Sequence, residues 1–131
     1  MAEYKRAQLL SLVVPFYNES TALHAFFARV IPILESIDAM QFEIVCVNDG
    51  SKDDTLAQLV EFAHSDERVR VIDLTRNFGK EAALTAGIDE AFGDAVIPID
   101  ADLQDPPDRA LTVDIYQVRR PWAEMEATWR N

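Results

Sequence analysis

Residues 95–105, AVIPIDADLQD, pass from an apolar run into three carboxylates and an amide. The apolar half is rich in β-branched residues and too short for an isolated helix, which predicts a buried strand. Asp100 and Asp102 are two residues apart, so they share one side of an extended chain, and in a turn they can converge on one ion. This strand end therefore indicates a cation site.

The ligand types at this strand end point to a hard divalent metal. Asp100, Asp102 and Gln104 offer only oxygen atoms, which suit Mg²⁺ or Mn²⁺, whereas zinc usually recruits His or Cys. From Glu81 to Asp108 the chain carries eight acids and no Lys, Arg or His. A phosphorylated substrate would be repelled there unless a metal lay between. The alternative is a solvated acidic loop before two prolines.

Composition describes an acidic domain of ordinary size. The chain has 131 residues, 49% of them hydrophobic, and a net charge of -11, which argues against nucleic acid as a partner and against charge-driven attachment to anionic membranes. The single cysteine, Cys46, can form no internal disulfide, which favours a reducing, cytosolic compartment and a buried, inert thiol. No segment reaches the roughly twenty apolar residues of a membrane span.

Strand and helix patterns alternate along the chain. Short apolar runs predict strands at Leu9–Val14, Phe42–Val47 and Val69–Leu74, before the strand at residue 95. The intervening helices should start at Ser20 or Thr21, at a Ser51–Asp54 capping box, and after Gly79. We expect Pro32 to kink or shorten the first, the second to reach about His64, and Gly93 to end the alanine-rich third. This order predicts a parallel α/β sheet.

Polar residues follow every predicted strand. In parallel α/β sheets, ligands bind beyond the carboxyl ends of the strands, so these clusters should meet in one site. They are Asn18 and Glu19, Asp49 and Ser51, Arg76, Asn77 and Lys80, and finally Asp100, Asp102 and Gln104.

Four motifs give the chain a family resemblance. VVPFYNE (13–19), VNDGS (47–51), RNFGK (76–80) and DADLQDPP (100–107) together resemble the family 2 glycosyltransferases. Within that family they are most similar to the polyprenol-phosphate branch, which includes dolichyl-phosphate mannosyltransferases, bactoprenol glucosyltransferases and undecaprenyl-phosphate aminoarabinose transferases. The resemblance implies a GT-A, Rossmann-like half that binds a nucleotide sugar, with a mainly parallel sheet of about four strands and helices on both faces.

The resemblance also implies roles for individual residues. Pro15, Tyr17 and Glu19 would line the nucleoside pocket, with Glu19 near the ribose. Asp49 would hydrogen-bond the base, and Ser51 would belong to the same binding set. Asn77, Gly79 and Lys80 would close over the nucleotide. Asp100, Ala101 and Asp102 would contact the donor, and Asp100 and Asp102 would be catalytic. The metal would be held by Asp102 and Gln104.

Each of these residues also has a plain structural interpretation. Glu19 could be an acid at a helix start, Asp49 a turn former before Gly50, and Lys80 a solvated lysine in the first turn of a helix.

The activity implied by the resemblance is inverting sugar transfer from a UDP- or GDP-sugar to a polyprenyl phosphate lipid, assisted by Mg²⁺ or Mn²⁺. A lipid phosphate is already anionic at pH 7, so little general-base help would be needed. The alternative is a non-catalytic nucleotide-sugar-binding or structural fragment. A receiver domain is disfavoured because it needs an acidic pair after its first strand, where this chain has Asn18 and Glu19. A haloacid-dehalogenase-like phosphatase is disfavoured because its D-x-D lies on the first strand of its fold, whereas here the D-x-D follows the fourth predicted strand.

The resemblance covers residues 9 to 107, so residues 1–107 form the predicted donor-binding domain. Residues 108–131 show no clean period apart from a helix candidate between Trp122 and Trp129, and we expect a truncated or divergent tail there. An uncovered sheet edge would then favour self-association into a homo-oligomer. We expect a cytoplasmic location, at the cytoplasmic face of the membrane in full-length relatives, with membrane contact only through regions that this sequence does not include.

Overall fold

The computed structural model describes residues 9–37 and 40–101, together with the backbone of a two-residue strand further on. Strands and helices alternate as the sequence pattern predicts, and helices lie at about the expected places. In chain order the elements are β1 (Leu9–Phe16), α1 (Leu23–Glu35), β2 (Gln41–Asn48), α2 (Thr55–Ser65), β3 (Val69–Asp73), α3 (Lys80–Glu90), β4 (Ala95–Pro98) and β5 (Tyr116–Gln117).

The strands form one mixed sheet in the order β3-β2-β1-β4-β5. The first four strands pair with one another in parallel, which confirms the predicted mainly parallel sheet. β5 is antiparallel to β4 and pairs with it at Ala95 and Val96. The edge that we expected to be free is therefore covered at these two residues. The helix candidate between Trp122 and Trp129 lies outside the described residues.

Helices pack on both faces of the sheet. One face carries α1 and α2, and its core includes Phe16, Phe26, Phe27 and Leu59. Phe16 meets Phe26 edge to face, with ring centroids 5.6 Å apart, a favourable aromatic geometry. The opposite face carries α3 over a smaller cluster of valines and alanines. Because alternate strand residues point to opposite faces, β1 and β2 supply side chains to both cores.

Small residues let α3 lie close to the sheet, as the alanine-rich sequence predicts. Ala83 and Gly87 are the buried residues of this helix. A Cβ at Gly87 would lie 2.4 Å from Val13 Cγ1 and 3.0 Å from Val47 Cγ2. Both valines are fully buried, so the sheet has no room to move away.

β1 continues past Pro15, where we expected it to end. The carbonyl oxygen of Val13 accepts a hydrogen bond from Ile99 N–H at 3.0 Å, so odd-numbered residues here direct their backbone groups toward β4. The β4 pairing stops at Val13. The missing N–H of Pro15 would therefore point toward β4, beyond the end of the β1–β4 pairing, so no hydrogen bond of the sheet is lost. On its other side β1 stays paired with β2 as far as Phe16.

The helix ends differ from the sequence-based expectations. α1 runs through Pro32 and ends three residues later; the proline removes one helical hydrogen bond, because it has no N–H to donate. The Ser51–Asp54 capping box is absent: Asp54 occupies the N-cap position without a side-chain cap. α3 ends at Glu90. Gly93 is not its cap, since its N–H donates to Ser11 Oγ at 2.8 Å instead.

A buried carboxylate holds the turn between α3 and β4. Glu43 is only 6% exposed and accepts hydrogen bonds from Ser11 Oγ at 2.5 Å, Arg70 Nη1 at 2.8 Å and Phe92 N–H at 2.7 Å. Arg70 also donates to the carbonyl oxygen of Glu90 at 2.9 Å. A charge buried this deeply is tolerated because both of its oxygens are hydrogen-bonded.

We expect Gly87→Ala to lower the free energy of unfolding by about 1–3 kcal/mol, because the added methyl group overlaps Val13 and the core cannot absorb it. Urea denaturation followed by circular dichroism measures the change. Ala82→Ser on the exposed side of α3 is the control and should stay within about 0.5 kcal/mol of the parent. Equal effects at the two positions would contradict the close packing of α3.

We expect Glu43→Gln to cost about 1–3 kcal/mol, because an amide turns one acceptor into a donor that faces Arg70, Ser11 or the backbone at residue 92. The same denaturation experiment measures it. Glu35→Gln is the matched control, since Glu35 meets Arg68 at 3.2 Å on the surface and such pairs contribute about 0–1 kcal/mol. A smaller loss for Glu43→Gln than for Glu35→Gln would refute the role assigned to the buried network.

Candidate donor site

A cleft of about 420 Å³ opens at the carboxyl ends of the parallel strands. The residues that line it lie at or after the ends of β1, β2, β3 and β4, so the four predicted clusters all contribute to the lining. This is the position at which parallel α/β sheets bind ligands. Its described lining consists of Pro15, Phe16, Tyr17, Glu19, Asp49, Asn77, Gly79, Lys80, Asp100 and Ala101.

Asp49 joins the end of β2 to the loop before α3. The residue is 3% exposed, and its carboxylate accepts hydrogen bonds from Phe78 N–H at 2.8 Å and Gly79 N–H at 3.1 Å. Asn77 Nδ2 donates to the backbone oxygen of Asp49 at 3.0 Å and lies 3.3 Å from its carboxylate. Asp49 thus shapes one wall of the cleft through the backbone of its neighbours.

Two glycines with positive φ allow this wall to form. Gly50 has φ 71°, and a Cβ there would lie 2.3 Å from the backbone nitrogen of Asn77. The loop can therefore approach β2 only if residue 50 has no side chain. Gly79 has φ 103° and precedes the first residue of α3. Both positions favour glycine for conformational reasons, and at Gly50 a steric reason is added.

Hydrogen bonds clamp the loop after β1 to the loop after β2. Asn18 adopts a left-handed conformation with φ 53°, its N–H donates to Ser51 Oγ at 2.9 Å, and its Oδ1 accepts from Lys52 N–H at 2.8 Å. Glu19 N–H donates to Thr55 Oγ1 at 2.9 Å. Tyr17 and Glu19 are thereby held at the rim of the cleft.

Asp53 completes this clamp. Its carboxylate accepts the Thr55 hydroxyl at 2.6 Å and lies 3.4 Å from Ser20 N–H. Hydrogen bonds from Thr55, followed by those from Ser20, lower the pKa of Asp53 below its ordinary value of 3.8, although partial burial opposes them. Because the pKa of Asp53 is lower in the folded than in the unfolded protein, its hydrogen bonds stabilise the fold at pH values above the unfolded-state pKa. The stabilisation is lost as the pH falls through the folded-state pKa.

Lys80 and Asp100 form an ion pair across the cleft. Lys80 Nζ lies 2.5 Å from Asp100 Oδ1, and the side chains are 59% and 28% exposed, respectively. Lys80 is the first residue of α3, whereas Asp100 follows β4. The pair therefore links two walls of the cleft, and the Lys80 ammonium group neutralises part of its negative charge.

The structure brings most of the predicted site residues together, although their roles stay predictions. Ser51 is the exception among the described ones: it does not line the cleft, and its hydroxyl instead supports the Asn18 loop. Asp102 and Gln104, the predicted metal ligands, lie outside the described residues. No cluster of three or more His, Cys, Asp or Glu side chains suited to a metal occurs within residues 9–37 and 40–101.

Sequence reasoning missed Phe16 and Thr55, and it placed Asn18 in the site without its role of supporting the rim loop. Phe16 lines the cleft from a nearly fully buried position. Asn18 and Thr55 hold the rim loop through the hydrogen bonds described above. The asparagine between Tyr17 and Glu19 offered a signal, because asparagine tolerates the left-handed region better than most residues do. The pairing of Thr55 with the Glu19 backbone left no trace in the sequence.

The parallel sheet and its cleft have the architecture of GT-A glycosyltransferases. The model of the family "Glycosyl transferase family 2" matches residues 11–124, and the chain belongs to this family. The match extends past Pro107, into the tail that the sequence motifs did not place. The division into residues 1–107 and 108–131 stays a prediction.

Curated relatives include members that are named for lipid-linked sugar transfer. An uncharacterized glycosyltransferase of Synechocystis, sll0501, is 56% identical over 115 residues, which are 88% of this chain and 34% of the relative. A prophage bactoprenol glucosyl transferase homolog of Escherichia coli is 50% identical over 97 residues, covering 74% and 31%. An undecaprenyl-phosphate 4-deoxy-4-formamido-L-arabinose transferase of Edwardsiella ictaluri is 41% identical over 109 residues, covering 82% and 33%. The chain thus spans about a third of the length of these relatives.

Solved structures share the fold. The mannosyltransferase PcManGT of Pyrobaculum calidifontis, solved in complex with GDP-Man and Mn²⁺, has a TM-score of 0.64 at 24% identity, covering 75% of this chain and 28% of that one. TarS of S. aureus in complex with UDP has a TM-score of 0.57 at 29% identity, covering 72% and 28%. Together they confirm the predicted GT-A fold.

We expect Asn18→Ala to lower the free energy of unfolding by about 1–3 kcal/mol, because alanine loses the Oδ1 acceptor and disfavours a positive φ. Asn18→Gly also loses the acceptor and adds backbone freedom to the unfolded chain, but it adopts a positive φ without strain, so its cost should be smaller. The difference between the two variants in urea denaturation measures the conformational part. Equal losses would show that the left-handed backbone at residue 18 carries no cost.

Proposed function

We propose that this chain carries the donor-binding part of an inverting glycosyltransferase. In this reaction a hexose moves from a nucleoside diphosphate sugar, a UDP- or GDP-sugar, to the phosphate of a polyprenyl lipid. The proposal rests above all on one observation: the polar residues after four parallel strands converge in a single cleft large enough for part of such a donor.

The cleft offers complementary ends to a nucleotide sugar. Pro15, Tyr17 and Glu19 form a rim with an exposed aromatic ring and a carboxylate, suited to a nucleoside with its ribose hydroxyls. Asn77, Gly79 and Lys80 lie at the start of α3, where an ammonium group and backbone N–H groups favour phosphate. Asp100 and Ala101 follow β4 and would face the sugar.

Asp49 has a dual role in this proposal. Its carboxylate already accepts two backbone N–H groups and lies within 3.3 Å of the Asn77 amide. A carboxylate has about four lone-pair positions, which leaves one for an N–H of a uracil or guanine base. Asp49 would then shape the pocket and contact the base at the same time.

The donor atoms at the end of β4 fit a hard divalent cation. Asp100 supplies a carboxylate in the cleft, and Asp102 and Gln104 would add two further oxygen ligands of the kind that Mg²⁺ and Mn²⁺ prefer. When bound, the cation supplies charge neutralisation and Lewis acidity at the diphosphate leaving group. Asp100 would orient the donor sugar, and Lys80 would balance phosphate charge.

The acceptor proposal draws on the relatives. The names of two of them specify bactoprenol and undecaprenyl phosphate. A phosphate oxygen is anionic at pH 7 and can attack the anomeric carbon without a strong general base.

We propose that transfer takes place at the cytoplasmic face of a membrane. The single cysteine, Cys46, can form no internal disulfide, so the domain needs no oxidising compartment. Among the described residues, no helix combines the length and apolarity needed to cross a bilayer.

A second candidate function is nucleotide-sugar binding without catalysis. The chain spans about a third of its relatives, and an acceptor site built from the remaining parts would be required for turnover. Donor binding is common to both candidates and is therefore tested first.

Calorimetric titration with UDP, GDP, UDP-glucose and GDP-mannose, each with and without Mn²⁺, tests the donor site. We expect at least one nucleotide to bind, and to bind more tightly with Mn²⁺. Asp102→Asn should weaken the Mn²⁺-dependent binding at least tenfold, because it removes a predicted ligand. Sugar transfer to undecaprenyl phosphate then distinguishes an enzyme from a binding fragment.

Glu61→Gln on the exposed side of α2 removes the same charge away from the cleft and serves as the control. It should bind nucleotide as the parent does. If Asp102→Asn binds Mn²⁺ and nucleotide as tightly as the control, the metal-assisted mechanism is wrong. If no nucleotide binds to the parent under any condition, the donor-site proposal itself fails.

A further inference from the structure

The ion pair between Lys80 and Asp100 lies in the cleft proposed for the nucleotide sugar. Both residues line the cleft, and Lys80 Nζ is 2.5 Å from Asp100 Oδ1. The ammonium group is directed to a carboxylate of the protein. Each member of the pair is thus engaged by the other.

We propose that Lys80 is a charge-exchange residue that couples the binding of cation and nucleotide. The inference rests on the proposed function and adds a device to it. Lys80 pairs with Asp100 and turns its ammonium group to the diphosphate when the donor binds. Asp100 is then released to face the cation and the sugar.

The charge balance of the cleft favours this exchange. Among the described residues that line it, Lys80 is the single cationic side chain, against the three carboxylates of Glu19, Asp49 and Asp100. An incoming diphosphate is repelled by those acids, and the nearest compensating charge is the one held by Asp100. A cation that neutralises Asp100 therefore frees Lys80 for the phosphate.

The geometry allows the ammonium group to move while its backbone stays in place. The Lys80 side chain is 59% exposed, and its four-carbon stem is flexible. The preceding residue is fixed, because Gly79 N–H donates to the buried Asp49 carboxylate at 3.1 Å. Asp100 follows β4 and is 28% exposed, so it stays with the sheet when the lysine leaves.

Exchange predicts positive coupling between the two ligands. The cation competes with Lys80 for Asp100, and the diphosphate competes with Asp100 for Lys80. The diphosphate thus draws Lys80 away from the cation's ligand Asp100, and the cation draws Asp100 away from Lys80. By thermodynamic linkage, each ligand must raise the affinity for the other by the same factor. Because partly exposed ion pairs are weak, the pair itself should account for about a two- to fivefold change in affinity.

A double-mutant cycle tests the inference without metal. The parent, Lys80→Met, Asp100→Asn and the double variant are titrated by calorimetry in EDTA with UDP and with GDP. Asp100→Asn should raise nucleotide affinity about two- to fivefold more in the Lys80 background than in the Lys80→Met background, because only there does it release an ammonium group. Equal effects in both backgrounds, or no binding by any of the four, would refute charge exchange.

Mn²⁺ binding without nucleotide gives an independent measurement. Electron paramagnetic resonance of free Mn²⁺ should show two- to fivefold tighter binding to Lys80→Met than to the parent. Lys52→Met is the control, since this exposed lysine follows β2 and does not line the cleft, and its affinity should not change. Equal Mn²⁺ affinity of the parent and Lys80→Met would also refute the exchange.

The two proposals fail differently. If the parent binds nucleotide with Mn²⁺ but the cycle shows no coupling, charge exchange is wrong and the donor site stands. If the parent binds no nucleotide even with Mn²⁺, both proposals fall together.

Discussion

The carboxylate of Asp49 connects the central part of the sheet to the loop that opens α3. It is buried, and it accepts N–H groups from Phe78 and Gly79. Together with the bond from Asn77 Nδ2 to the backbone oxygen of Asp49, these hydrogen bonds set the distance of the loop from β2 at the start of α3. A carboxylate buried at 3% exposure must be satisfied by donors, so the loop stabilises Asp49 as much as Asp49 stabilises the loop.

β2 holds α3 at both of its ends. Asp49 binds the backbone before the helix, and Glu43 binds Phe92 N–H just after it. Between these points the helix packs through small residues, which leave no room for sliding. The position of Lys80 beside Asp100 is therefore a consequence of packing several residues away.

The electrostatics of the cleft link structure to the proposed chemistry. The chain is strongly acidic, with a net charge of -11, and the cleft lining repeats that imbalance locally. A site for a diphosphate in such a protein depends on recruited positive charge. Lys80 provides one charge from the chain itself, and a divalent cation would supply the rest.

The sequence by itself determined the order of strands and helices, the parallel sheet and the residues that would meet at its edge. These follow from local periodicity and from the rule that parallel strands share their carboxyl edge. Only the tertiary structure decided which atoms those residues contact. Ser51 supports Asn18 instead of lining the cleft, Gly93 donates to Ser11 instead of capping α3, and Lys80 pairs with Asp100. Such contacts join residues far apart in the chain, and their geometry depends on how the elements pack, which no local pattern encodes.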